Sequence, residues 1–258
     1  MPENLIQGEI KIMTKTIKKP FYGLVALASS IVISMTFIIV GILVSFVYSN
    51  IVGIIISSIG MYILCSYLVS IYLINPFKSL DLSDILELKG DEVVLDVGCG
   101  LGRATMGVAK LLSTGKVIGI DIWDRLEIPG NSWEKADDNA DAEGVKKKVE
   151  FRFGDALNIP FDENYFDVVI CAGCISSFHK DEKKIKAMNE IRRVLKTNGI
   201  FYLREPILKF KTFILLTPSV FFIGLPSKNH WIYLLKKSGF KQIEYFPHRI
   251  AGSFKMIQ

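Results

Sequence analysis

The chain has 258 residues, 50% of them hydrophobic, and a formal net charge of +5. This length is enough for one domain of ordinary size together with a smaller unit. The positive surplus is modest and lies in short groups such as Lys146–Lys148, which is typical of solvated helix faces. The composition therefore excludes a strongly basic nucleic-acid-binding protein, and we expect no nucleic-acid partner. It favours a membrane-attached protein with one soluble domain.

The first feature along the chain is an uncharged stretch from Phe21 to Phe77. As one helix, its roughly 57 residues would be about 85 Å long, nearly three times the thickness of the hydrocarbon core of a bilayer. The polar pair Ser49-Asn50 divides it into two apolar runs, 21–48 and 51–74, each long enough to cross a membrane with some tilt. A signal peptide is a poorer explanation, because its apolar core is much shorter. We predict a two-helix transmembrane hairpin.

The residues on either side of this hairpin, 21–74, predict its orientation. Segments rich in Lys and Arg stay in the cytoplasm. We therefore expect an integral membrane protein with two spans, whose N-terminal segment 1–20, C-terminus and soluble domain are all cytoplasmic. The flanking basic residues are Lys11, Lys15, Lys18 and Lys19 before the hairpin and Lys78 after it. Small residues that could serve contact between the two helices are Gly41, Gly53 and Gly60. Whether the hairpin is a plain anchor or takes part in binding a lipid acceptor stays open.

Residues 75–92 form the predicted connector to the soluble domain, which would cover residues 93–258. Asn75-Pro76 is expected to end the second span. Ser83 or Asp84 is expected to start a short helix.

A glycine-rich turn follows the first strand of the soluble domain. Residues 93–97 are an apolar run typical of a buried parallel strand, and helical spacing begins at Ala104. The intervening order is G-x-G-x-G, in which the glycines let the backbone turn sharply and a ligand lie close to it. It differs from the dinucleotide-binding order G-x-G-x-x-G, because Arg103 takes the place of the third glycine. Asp96 precedes the turn, where a carboxylate would repel a pyrophosphate and attract a cationic ligand.

The run Asp96-Val-Gly-Cys-Gly-Leu-Gly102 resembles motif I of the class I S-adenosylmethionine (SAM)-dependent methyltransferases. Four further pieces resemble the family in the same order, namely Lys116–Asp121, Phe151–Ala156, Ile159–Ile170 and Glu190–Phe201. The resemblance implies an α/β, Rossmann-like fold with a seven-stranded sheet of strand order 3-2-1-4-5-7-6, its last strand antiparallel. It also implies SAM as the cofactor.

The resemblance assigns roles to the acidic residues that follow the strands. Asp121 would accept both ribose hydroxyls, and Asp155 would bind the adenine amino group. Trp123 could stack on the adenine, line the mouth of the pocket or pack on the edge of the sheet. The expected cofactor-binding residues are Asp96, Gly98, Cys99, Gly100, Gly102, Asp121, Ile122, Trp123, Asp155, Ala156 and Cys171.

A helix is predicted after the loop that follows Asp121. Asn131 and Glu134 have the spacing of a capping box, so we expect this helix to start at Ser132 and to end near Gly144. The sequences Asp-Ile-Trp, Gly-Asn-Ser and Asn-Ala-x-x-Glu-Gly-Val in this region resemble a subgroup of small methyltransferases with an N-terminal membrane segment. That resemblance fixes no substrate.

The acceptor is expected beyond the carboxyl ends of the fourth and fifth strands. His179 is the best candidate for a base that takes a proton from the acceptor, although a loop histidine can also be merely solvated. Glu205 could orient the acceptor or pair with Arg204. The apolar, proline-broken segment 210–226 is too short to span. It would either lie in the membrane interface beside the hairpin or cover the sheet.

Cys171 and Cys174 have C-x-x-C spacing at the predicted pocket. They could form a thiol-rich site for a soft acceptor or simply pack there. Two cysteines without a second Cys or His pair are weak support for zinc. We predict no metal site. Cys65 and Cys99, in a span and in the glycine turn, suggest no disulfide, which a cytosolic domain also disfavours.

The sequence thus predicts a membrane-anchored methyltransferase that transfers a methyl group from SAM to a small, lipophilic acceptor at the cytoplasmic membrane face. The acceptor could be a small molecule or a lipid. Two alternatives remain open, namely methylation of a membrane-protein side chain and a non-catalytic SAM-binding sensor or scaffold.

Overall fold

A computed structural model describes residues 19–24, 27–125, 128–209, 226–248 and 251–258. The six α-helices within these ranges are α1 (Leu27–Val47), α2 (Asn50–Ile74), α3 (Arg103–Ala109), α4 (Trp133–Ala142), α5 (Asp181–Val194) and α6 (Lys228–Lys237), and two short 3-10 helices cover Lys146–Lys148 and Ile175–Ser177. The seven strands are β1 (Val93–Val97), β2 (Lys116–Asp121), β3 (Val149–Phe153), β4 (Phe166–Ala172), β5 (Leu195–Pro206), β6 (Lys241–Pro247) and β7 (Ala251–Ile257).

The first two helices pack closely against each other. A Cβ added at Gly41 would lie 2.7 Å from the carbonyl oxygen of Gly53, and one added at Gly60 would lie 2.6 Å from that of Ser34. Glycine is therefore required for this approach, which confirms the expected role of these small residues in helix contact. Residues Ser29–Val47 of α1 and all of α2 (Asn50–Ile74) are long and apolar enough to cross a membrane.

The hairpin starts later in the chain than the apolar run that predicts it. Phe21–Leu24 are described but lie outside α1, which begins at Leu27. The reason is a set of contacts with the soluble domain: the Phe21 amide donates to Asn139 Oδ1 over 2.9 Å, and Tyr22 is 6% exposed. The amide of Tyr22 also donates to the carbonyl of Pro76 over 2.8 Å, so the two ends of the hairpin meet.

The soluble domain is built on one sheet of strand order β3-β2-β1-β4-β5-β7-β6. Strands β1 to β5 pair in parallel, and β7 runs antiparallel to both β5 and β6. This confirms the sheet that the sequence predicts. Because the carboxyl ends of β1 to β5 share one edge, side chains that follow these strands are brought together there.

Each face of the sheet has its own apolar core. One core joins the sheet to α5 and α6 and contains Ile191, Leu203 and Trp231. The other joins it to α3 and also contains Leu82 from the connector and Tyr22 from the segment before the hairpin. The connector and residue 22 are thus packed into the soluble domain.

The short helix expected at Ser83 or Asp84 was a wrong prediction. The structure has a single turn there, closed by a 2.9 Å hydrogen bond from the Leu86 amide to the Leu82 carbonyl. The carboxylate of Asp81 accepts from both the amide (3.1 Å) and the hydroxyl (2.7 Å) of Ser83. Such a local turn competes with helix formation.

The start of α4 also differs from its prediction. Ser132, and not Asn131, is the N-cap, and its hydroxyl accepts from the Lys135 amide over 3.4 Å. Asn131 is instead 3% exposed, and its amide group donates to the Asp124 carbonyl over 3.5 Å. Its side chain therefore stabilises the preceding loop, and the helix begins one residue later than expected.

Candidate cofactor site

The glycine turn between β1 and α3 is held against the end of β2. The amides of Gly98 and Cys99 both donate to the Ile120 carbonyl, over 2.9 and 3.1 Å. Gly98, Gly100 and Gly102 have φ values of +70°, +51° and +84°, in the left-handed region that strains any residue with a Cβ. The backbone conformation of the turn is therefore by itself enough to require these glycines.

The three glycines differ in what lies above them. A Cβ on Gly98 would overlap the side chain of Cys174, and one on Gly102 would lie 2.6 Å from Met106 Cε. Among the described residues, a Cβ on Gly100 would meet only Ile128 Cδ1, at 3.4 Å. Of the three positions, Gly100 is thus the one where the described part of the chain leaves space that a ligand could use.

Asp121 stands at the end of β2 beside this space. Its Oδ2 accepts from the Gly100 amide over 2.8 Å, and its Oδ1 accepts from the Trp123 amide over 2.6 Å. A carboxylate has about four acceptor positions, so two remain after these bonds. The carboxylate is therefore fixed in place and still able to accept two hydroxyl protons from a ligand.

Asp96 is the second acidic residue of the site and is 1% exposed. Its Oδ2 accepts from the Thr105 hydroxyl over 2.6 Å, whereas Oδ1 has no hydrogen-bond partner among the described residues. Burial, helped by the nearby charge of Asp121, raises the pKa of Asp96 to about 7. A buried carboxylate with an unpaired oxygen is a site that a cation would stabilise.

These features fit the cofactor that the resemblance implies. A vicinal diol suits Asp121, a cationic group suits Asp96, and a nucleoside lying close to the backbone suits Gly100. A pyrophosphate does not suit two neighbouring carboxylates. Asp121, Gly100 and Asp96 would hold SAM, which when bound supplies an activated methyl group.

The remaining predicted cofactor residues lie along the same edge. Ile122 is 54% exposed, and Trp123 has its indole Nε1 buried without a partner among the described residues. Asp155 is exposed after β3, where its Oδ1 accepts from the Leu157 amide over 2.8 Å, and Ala156 is buried beside it. Their individual roles toward SAM stay predictions.

The side chains after β4 and β5 divide between the core and the edge. Cys171 is fully buried in the core under α5 and α6, and Cys174 lies over Gly98. A hydrogen bond with the Cys174 thiol, together with burial, raises the pKa of Cys171 far above its usual value. His179 is exposed in the loop before α5. The structure thus brings Cys174, rather than the side chain of Cys171 or His179, onto the glycine turn.

Glu205 is fully buried at the end of β5. Its Oε1 accepts from the Ile175 amide over 2.9 Å, and its Oε2 has no hydrogen-bond partner among the described residues. Burial raises the pKa of Glu205 to about 7, against the lowering effect of polar groups of Ser176 and Ile175. No ion pair with Arg204 is formed within the described residues. Glu205 holds the segment after β4 in place.

The structure also reveals a series of hydrogen-bonded side chains at this edge that the sequence did not indicate. The Tyr202 hydroxyl lies 2.7 Å from Ser253 Oγ, which lies 2.8 Å from His248 Nε2. Burial and the charges of Arg204 and Lys209 lower the pKa of His248. Tyr and Ser are ordinary strand residues, so only the pairing of β5 with β7 could identify these hydrogen bonds.

Comparison with known proteins gives the same class of domain. Residues 88–214 match a family model described as a methyltransferase domain. The probable methyltransferase ltbC of Aspergillus luteorubrus is 35% identical over 121 residues, 46% of this chain and 42% of that protein. The demethylmenaquinone methyltransferase of Lactobacillus johnsonii is 29% identical over 115 residues, 44% of this chain and 43% of that protein. The chain thus spans less than half the length of these two relatives.

The fold has solved counterparts. The structure of a SAM-dependent methyltransferase from Methanosarcina mazei matches with a TM-score of 0.54 at 20% identity, covering 69% of this chain and 99% of that one. Residues 88–214 thus match a methyltransferase domain, and the sheet has the fold of the class I SAM-dependent methyltransferases. These findings support SAM as the cofactor of the domain.

Proposed function

We propose that the protein is a membrane-anchored methyltransferase that transfers a methyl group from SAM to a small, lipophilic acceptor at the cytoplasmic membrane face. The observation that carries this proposal is the contact between the hairpin and the cofactor turn. Arg103, directly after the turn, donates from Nε to the Lys78 carbonyl over 3.0 Å and from its guanidinium to the carbonyl of Ile74, the last residue of α2. A hairpin in a bilayer would therefore hold the cofactor site at the bilayer surface.

The surface of the hairpin supports its placement in a membrane. Its 21-residue and 25-residue helices would be about 32 and 37 Å long, enough for a hydrocarbon core of about 30 Å. Large apolar side chains point outward on both helices, for example Val32 (62% exposed) and Ile54 (63% exposed). A core helix of a soluble protein would bury such residues. The meeting of Tyr22 with Pro76 supports two spans with both ends on one side.

The acceptor class follows from this position. The carboxyl ends of β4 and β5, where the acceptor is expected, share an edge with the glycine turn that Arg103 ties to α2. An acceptor dissolved in the bilayer would reach this edge without crossing water. A relative named demethylmenaquinone methyltransferase supports testing quinones among the acceptors. The apolar segment 210–226 was expected either to lie in the membrane interface beside the hairpin or to cover the sheet, but residues 210–225 lie outside the described residues.

The residues of this chain would act mainly by positioning. Methyl transfer from a sulfonium needs little covalent assistance, so a fixed geometry and a dry pocket can supply much of the rate. Asp121 and Gly100 would hold the nucleoside, and Asp96 the cationic part of the ligand. His179 and Glu205 stay candidates for proton transfer and orientation. Of the two, Glu205 is already engaged with Ile175, and His179 would have to turn inward from its exposed loop.

The test is a transfer assay on the full chain in vesicles of phosphatidylethanolamine and phosphatidylglycerol. Methyl-labelled SAM is supplied with a membrane lipid extract, quinones or small amines, and the products are separated into lipid, small-molecule and protein fractions. Label in the lipid or quinone fraction, absent with Asp121→Ala, supports the proposal. Label in protein would instead favour a membrane-protein substrate, and binding without transfer would favour a sensor or scaffold; either result contradicts the proposal.

The location is tested separately with sealed vesicles of known orientation. In right-side-out vesicles the soluble domain should resist added protease, and in inside-out vesicles it should be digested. Digestion in right-side-out vesicles would overturn the cytoplasmic placement, and recovery of the protein in the soluble fraction would overturn membrane anchoring.

A further inference from the structure

The base of the hairpin consists of the segment that enters α1, at Phe21–Gly23, and the segment that leaves α2, up to Leu80. Asn139 on α4 connects the entering segment to the glycine turn. Its Oδ1 accepts from the Phe21 amide over 2.9 Å, and its Nδ2 donates to the Phe21 carbonyl over 2.9 Å. The same Nδ2 donates to the carbonyl of Leu101, in the middle of the turn, over 3.0 Å. Asn139 is 6% exposed. One buried amide thus uses its acceptor and both donors to join residues 21 and 101.

A second residue, at the C-terminal end of α4, holds the same segment before the hairpin, which contains Phe21 and Tyr22. Glu143, the C-cap of α4, accepts from the Tyr22 hydroxyl over 2.7 Å and pairs with Lys110 over 2.6 Å. Asn139 and Glu143 are the Asn and Glu of the Asn-Ala-x-x-Glu-Gly-Val sequence. Their spacing of four residues places them on one face of the helix. This face binds the segment that enters the membrane helices.

The chain that leaves the hairpin contacts the other side of the turn. The Leu80 amide donates to the Arg103 carbonyl over 3.0 Å, and a Cβ on Gly107 would overlap the Leu80 carbonyl. On the entering side, a Cβ on Gly23 would lie 3.3 Å from Leu101 Cδ1. Both segments at the base of the hairpin therefore touch residues within or directly after the cofactor turn.

We propose that the base of the hairpin is a working part of the cofactor site, with Asn139 as the positioning residue that holds Leu101, and with it the turn from Gly98 to Gly102, in the conformation that accepts SAM. A flexible tether needs no buried polar contacts with the domain that it anchors. Here, removing the Phe21 segment would leave a buried amide with unpaired groups, which is costly and would favour a rearranged turn. The inference rests on the SAM-binding role proposed above.

The experiment compares full-chain variants in detergent. Asn139→Ala removes the link between residues 21 and 101. Asn139→Asp keeps an acceptor for the Phe21 amide and removes both donations, so it serves if the alanine variant does not fold. Tyr22→Phe is the matched control, because it removes one hydrogen bond from the same hairpin segment and leaves the link to Leu101 intact. Hydrogen exchange of the turn amides is measured without SAM, and the Kd of SAM is measured by calorimetry.

We expect at least tenfold faster exchange in residues 98–102 and an increase of about tenfold in the Kd of SAM for the Asn139 variants. Tyr22→Phe should change each by less than twofold, even if it lowers the melting temperature. Unchanged exchange in the Asn139 variants, or equal changes in Tyr22→Phe, would overturn the inference. If the unaltered protein bound no SAM, the proposed function would fail, and the exchange measurement would still decide whether Asn139 holds the turn.

Discussion

The amide of Gly100 donates to Oδ2 of Asp121 over 2.8 Å, so the open position of the glycine turn is fixed by the carboxylate assigned to the ribose. One residue thereby sets the shape of the turn and, in the proposed function, would also place the ligand. Substitutions at the turn should consequently separate into those that affect binding and those that affect folding.

Gly100→Ala should weaken SAM binding more than it weakens the fold. The new methyl group would enter open space, at a left-handed position that costs about 1 kcal/mol. Gly115→Ala should do the reverse, because its methyl group would overlap the Glu92 carbonyl at the end of β1 that lies opposite the turn. Calorimetry with SAM and thermal unfolding of both variants test this pair. Equal loss of binding and stability in the two variants would contradict the assignment of the open space to the ligand.

The affinity for SAM should rise with pH because of Asp96. Its pKa of about 7 in the ligand-free site means that it is largely protonated below pH 6, and a cationic ligand favours its charged form. Affinity should therefore increase by up to about tenfold per pH unit below the pKa and level off above it. Asp96→Asn should remove this dependence. Titrations from pH 5.5 to 8.5 that give the same slope for both proteins would show that Asp96 does not meet the cation.

The stability of the ligand-free protein should fall as pH rises, because of Glu205. The folded state keeps its carboxyl protonated up to a pKa of about 7, whereas an exposed Glu ionises near 4.5. Folded protein thus binds the extra proton between these values, and up to about 3 kcal/mol of stability is lost across this window. Glu205→Gln should remove that share of the loss from the pH profile of thermal unfolding, whereas the share due to Asp96, whose pKa is raised in the same direction, should remain.

Glu190 provides a control of opposite sign. Its hydrogen bond and ion pair with Arg193, at 2.8 Å, lower the pKa of Glu190. Its contribution to stability is present above the unfolded pKa and is lost as pH falls. Glu190→Gln should therefore cost stability at neutral pH and not at low pH. Identical pH profiles for the two Gln variants would contradict the environments described for both residues.

Gly53→Leu should separate the hairpin helices. The side chain would collide with the backbone of Gly41 and Ser45 on α1, where no rotamer avoids the contact. Ile54→Leu, on the 63% exposed outer face, is the matched control. Thermal unfolding in detergent should show a cost of at least about 2 kcal/mol for Gly53→Leu and almost none for Ile54→Leu. Similar behaviour of both would mean that the helices do not pack through these glycines.

Local patterns predicted the parts of the molecule that local physics decides. The apolar run at 93–97, the glycine turn and Asp121 at the end of the next strand were recognisable, and the sheet order followed from the family that they resemble. The glycines of the hairpin were recognisable for the same reason, since only small residues allow such close helices.

Contacts between distant parts of the chain were not predictable in this way. Phe21 and Asn139 are 118 positions apart, and neither residue type indicates a partner. Tyr202, Ser253 and His248 become neighbours only when β7 pairs with β5. Asn131 was misread as a cap because its spacing to Glu134 is correct, whereas tertiary packing had already used its side chain.

The account is tested most directly by calorimetric titration of SAM into the full chain and into Asp121→Ala. Asp121 makes two hydrogen bonds that shape the turn and would make two more to the ribose, so the variant should lose about 100-fold or more in affinity while its unfolding stays cooperative. We predict one SAM bound per chain in the unaltered protein. Equal affinity of the two proteins for SAM, or no binding by the unaltered chain, would contradict the account.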